Sequence, residues 1–75
     1  MYTTLRMRRL QCHLSQEQLA KGAVVSLSYL GVLERGGSVP TLTVARRLAE
    51  ALGTSVDALW PATEQPGATS EAERG

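Results

Sequence analysis

Residues 15–36 read SQEQLAKGAVVSLSYLGVLERG, and the reading of this stretch decides the fold. Ser15-Gln16-Glu17-Gln18 forms a capping box, with a serine at the cap and a glutamine three residues on. It predicts a helix that opens at Gln16 and turns Leu19 and Ala20 inward. Lys21-Gly22-Ala23-Val24-Val25 must then hold the end of that helix and a turn. Ser26 can cap the next helix, where Leu30 and Leu33 stand three residues apart on the core side. Gly36-Gly37 stops it. Such a helix leaves Leu27, Ser28, Gly31 and Val32 outward, with Tyr29 at the edge.

The same signals recur on both sides. Thr3 or Thr4 can cap a first helix running to about Cys12. Ser38-Val39-Pro40 reads as a loop, because Pro40 lacks a donor and restricts Val39. Thr41 can cap a fourth helix with Leu42, Ala45, Leu48, Ala49 and Leu52 on one stripe, ended by Gly53. Ser55 can cap a short fifth helix with Val56, Leu59 and Trp60 inward. No stretch alternates as a strand bounded by hairpin turns. The expected fold class is all-α, five short helices in a domain spanning residues 1–61. Residues 62–75, ATEQPGATSEAERG, have no apolar pattern and are expected to form a disordered acidic tail beyond Pro61.

The chain has 75 residues, which holds one small domain at most. A chain this short buries only about 60% of its unfolded surface, so a partner subunit would help it. Phe is absent, and Tyr2, Tyr29 and Trp60 are the only aromatics, so the core must be built from Leu, Val and Ala. A single cysteine, Cys12, rules out a disulfide within the chain and fits a reducing interior. Cys12 is expected to be buried on the first helix. The basic start MYTTLRMRRL has no long apolar run behind it and does not read as a signal peptide. No run approaches the length of a membrane span, so the expected compartment is the cytoplasm.

Net charge is only +1, but it is unevenly distributed. Residues 1–61 carry seven Arg or Lys against four Asp or Glu, whereas 62–75 carry one against three. A mildly basic body suits nucleic acid without demanding it. One His, no Cys–His pair at useful spacing, no carboxylate cluster and no phosphate loop leave no catalytic set. His13 has no metal-ligand companions and reads as a loop residue. No catalytic residue, metal site, cofactor or small-molecule ligand is expected.

These residues resemble the lambda-repressor/Cro-like helix-turn-helix proteins, the XRE family. The landmarks are Leu14-Ser15-Gln16-Glu17, Leu19-Ala20, Ala23, Val25-Ser26, Tyr29-Leu30, Leu33-Glu34-Arg35-Gly36, Pro40-Thr41-Leu42, Leu48-Ala49, Ala51-Leu52-Gly53 and Asp57-Ala58-Leu59. They stand in order from Leu5 to about Trp60. The resemblance makes the second and third helices a helix-turn-helix, and implies double-stranded DNA as partner, a homodimer and transcriptional control. The run Tyr29-Leu30-Gly31…Glu34-Arg35-Gly36 is also similar to restriction–modification controller proteins. The family usually has Gly at the positions of His13 and Val24, and often Arg or Lys at those of Leu27 and Val32. A β-branched residue is costly at φ > 0, so the Val24 turn is either built differently or strained.

The implied interface follows. Gln16, at the start of the second helix, is expected to meet a phosphate and brace the third helix; its plainer role is a neighbour in the capping box. Ser26 and Thr41 open the two other helix N-termini of the interface. Ser28 can bond a base or phosphate, whereas Leu27 and Val32 can make only apolar contact, best with a thymine methyl. Gly31 would let the backbone approach closely. Tyr29 either reaches a phosphate or packs its ring. Arg35 either reaches the DNA backbone or is a solvated charge at a helix C-terminus. A Glu34 carboxylate facing DNA would be repelled, and the resemblance pairs it with Arg9 in a structural ion pair. Val56, Leu59 and Trp60 are the expected two-fold contact, though part of that surface must close the core and Trp60 either finishes the core or anchors the interface; such a dimer sets half-sites about one helical turn apart. Arg46 and Arg47 read as a solvated face. The competing reading is a protein-interaction module using Leu27, Val32 and Tyr29 as an apolar patch.

Overall fold

In the computed structural model residues 3–61 are described, and the expected tail at 62–75 lies outside them. Five helices follow one another: α1 (Thr4–Gln11), α2 (Gln16–Ala23), α3 (Leu27–Glu34), α4 (Leu42–Ala51) and α5 (Val56–Leu59). The all-α expectation holds, with no strand among the described residues. No helix among them is long and apolar enough to cross a membrane.

Each helix starts where a short hydroxyl side chain takes up one of the N–H groups that the first turn leaves unpaired. Thr3, not Thr4, caps α1, with Arg6 N–H donating to its Oγ1 at 3.1 Å. At α2 the capping box is complete: Gln18 N–H donates to Ser15 Oγ at 3.0 Å, and Ser15 N–H donates to Gln18 Oε1 at 2.8 Å. Ser26, Thr41 and Ser55 accept from Tyr29, Val44 and Ala58 in the same manner. C-termini are held differently. Gly36 takes a left-handed φ of 78° just after α3, and its N–H donates to the Leu33 carbonyl at 3.1 Å. The Leu52 carbonyl at the end of α4 accepts from Arg8 Nη2 at 3.3 Å and faces the Cys12 thiol at 3.6 Å. Cys12 is the half-buried C-cap of α1 rather than a core residue on the helix.

The core is aliphatic apart from Trp60. Leu5, Leu19, Leu30, Leu33, Leu48, Leu52 and Leu59 meet there with Ala20, Ala23, Ala45 and Ala49. Small alanines let α2 lie closely on α4, its main packing partner, while α1 packs on α3 and α5. This frame leaves α2 and α3 side by side with one face of α3 open to solvent.

Two turns that the family usually builds with glycine are built without it. His13 has φ 59° and Val24 φ 58°, both left-handed. Histidine tolerates that region; a β-branched valine is a genuine outlier. Val24 is 74% exposed, so its side chain contributes little packing in return. Left-handed geometry costs an L-residue about 1–2 kcal/mol, and glycine would add back some unfolded-state entropy. Val24→Gly is therefore expected to stabilise the domain by about 1 kcal/mol and raise Tm by about 4–8 °C. Thermal unfolding followed by circular dichroism checks this; an unchanged or lower Tm would mean that the turn is not strained.

Candidate nucleic-acid interface

The site is organised around a carboxylate that is hidden from it. Glu34, in the last turn of α3, is 2% exposed. Arg9 of α1 reaches it in a fork, Nε donating to Oε2 at 2.6 Å and Nη2 to Oε1 at 3.1 Å. The third nitrogen of Arg9, Nη1, donates to the Leu14 carbonyl at 2.8 Å, just before α2. Gln16 Nε2 donates to Glu34 Oε1 at 3.1 Å. One carboxylate thus ties α1, α2 and α3 together, with its oxygens satisfied by charge-assisted bonds. The structure carries the expected Arg9–Glu34 pair and adds Gln16, whose carboxamide braces the C-terminal end of α3. A further tie was not expected from sequence: Thr3 Oγ1 donates to the Glu34 carbonyl at 2.8 Å.

With Glu34 tucked inward, no carboxylate lies on the open face of α3. Leu27 and Ser28 are exposed there, Val32 and Tyr29 are half-buried, and Arg35 is exposed at the C-cap. Tyr29 packs against the core cluster. Gln16 and Ser26 open α2 and α3 beside this face, and Thr41 opens α4. Each of these N-termini presents backbone N–H groups that suit a phosphate oxygen.

One expectation needs correction. Gly31 is not an open point of close approach: it is buried, and the Arg35 guanidinium lies over it. A helix residue's long side chain lies back over the preceding turn, and Arg35 does so here. Of the three residues expected at the two-fold contact, two face inward in this chain. Leu59 and Trp60 are 2% and 6% exposed and close the core of this chain. Val56 is only half-buried, beside exposed Asp57 and Ala58.

A tight α2–turn–α3 unit, a braced second helix of the pair and an acid-free outward face define a DNA-binding helix-turn-helix of the lambda-repressor-like kind. Residues 5–59 match the family model described as helix-turn-helix, and the chain belongs to that family. Membership places it among DNA-binding proteins of transcription regulation. Neither the search of curated proteins nor that of solved structures returned a match.

Proposed function

We propose that this chain is a sequence-specific transcriptional repressor or autoregulator, similar to restriction–modification controllers, that binds a pseudo-palindromic operator as a homodimer. The observation that carries the reading is the sequestration of Glu34. It leaves α3 with an outward face of Leu27, Ser28 and Val32 whose charge is that of Arg35 alone. In this reading α3 enters the major groove. Leu27 and Val32 touch thymine methyls, and Ser28 bonds a base or phosphate. Gln16, Tyr29 and the N-termini at Ser26 and Thr41 hold the backbone. Two copies meet through the outer side of α5, beside Val56, with Leu59 and Trp60 supporting that helix from within.

Selection against random duplex DNA, followed by affinity measurements across a salt series, tests the reading. An inverted repeat should be enriched, and log affinity should fall with log salt at about −0.9 per phosphate neutralised. No enriched motif together with a flat salt response would reject it, and would favour the protein-interaction alternative on the same face.

A further inference from the structure

Gly31 stands in the middle of α3, where glycine is a poor helix former. Packing does not require it. A Cβ built there would meet a single atom within 4 Å beyond its own helix backbone and chain neighbours, Arg35 Nη1 at 3.3 Å. Gly31 is nonetheless buried, and Arg35 is what lies over it. The Arg35 side chain therefore runs back along α3 by one turn. This carries its guanidinium from the C-cap to the middle of the outward face, one turn beyond Leu27 and Ser28. Among the described residues no acceptor is bonded to that guanidinium, in contrast to Arg9.

We propose that Gly31 is a seat for Arg35, and that Arg35 is the base-reading residue of the helix, donating its fork to O6 and N7 of a guanine in the major groove. The inference rests on the DNA-binding reading above and specifies what that face recognises. Leu27 and Val32 have no polar group to offer a base edge, and Ser28 offers only one hydroxyl. Arg35 supplies the planar, two-pronged donor that guanine matches. A Cβ at position 31 would press on Nη1 at 3.3 Å and push the guanidinium from its place against the helix. A phosphate contact, by contrast, would strengthen binding to every sequence alike and read none of them.

The test compares wild type, Arg35→Ala and Gly31→Ala by selection on random duplexes and by affinity for the selected half-site with its guanine replaced. The wild type should select a half-site containing a guanine. Arg35→Ala should lose about tenfold or more of the discrimination for that base. Gly31→Ala should melt no lower than wild type, since alanine is the better helix former, yet lose part of the same discrimination. Arg35→Ala that keeps the guanine preference while binding weakens for every sequence alike and the salt slope falls by about one would make Arg35 a backbone contact and overturn the inference. Gly31→Ala that keeps the preference in full would overturn the seat. Failure of the wild type to select any motif would overturn the inference together with the function it rests on, whereas a guanine-free inverted repeat would overturn the inference alone.

Discussion

Arg9→Ala is expected to remove nearly all of the domain's stability and leave about half of the protein or more unfolded at 25 °C. The Glu34 carboxylate would remain inside, with Gln16 Nε2 as its one remaining side-chain donor among the described residues. Stranding a buried charge by removing its partner costs about 3–5 kcal/mol. A single core in a chain this small rarely supplies more than about 3–5 kcal/mol in all. The Leu14 carbonyl would also lose its donor, Arg9 Nη1. The converse change, Arg9→Met with Glu34→Leu, removes both charges and is expected to recover most of the loss. Urea unfolding followed at 222 nm by circular dichroism resolves these variants. A loss below about 1 kcal/mol for Arg9→Ala, the level of an exposed pair, would show that the ion pair is not a buried joint.

The joint has a functional side. Glu34 sits on the helix proposed to meet DNA, and a carboxylate on the open face would repel phosphate. Folding it inward removes that repulsion. The same bonds fix α3 against the N-terminus of α2, so the base and phosphate contacts proposed for the two helices would keep one register.

Much of this was legible in the sequence because the signals are local. Ser15, Ser26, Thr41 and Ser55 each precede an apolar-patterned run, and a capping hydroxyl needs only the residue two or three positions on. Val24 and His13 stood out because left-handed turns favour glycine, and the structure places both at positive φ. What stayed hidden depends on residues distant in sequence or on the path of one side chain. The hydroxyl of Thr3 reaches a carbonyl 31 residues away. The Arg35 guanidinium lies over Gly31 because of the direction in which that side chain folds, and periodicity assigns faces without side-chain paths. Trp60 was ambiguous because an aromatic at the end of a four-residue helix can as readily cover its own core as face a partner.

Trp60→Ala settles that last ambiguity. Trp60 is 6% exposed within the single chain and joins Leu59, Leu5 and Leu52 in the core. Truncating a buried tryptophan to alanine costs about 3–5 kcal/mol through lost burial and the cavity left behind. The domain is therefore expected to lose most of its stability, with Tm falling by about 4–8 °C for each kcal/mol. A core role and an interface role separate by concentration. A residue filling its own chain's core lowers stability by the same amount at every protein concentration, whereas a subunit contact acts through mass action. The difference in Tm between wild type and Trp60→Ala should thus stay constant over a hundredfold range of protein concentration. A variant that keeps its Tm in dilute solution yet sediments as a smaller species than wild type would place Trp60 between subunits. With Trp60 inside, α5 is held against the core by Leu59 and Trp60, and its outer side at Val56, Asp57 and Ala58 is the surface proposed to meet a second copy.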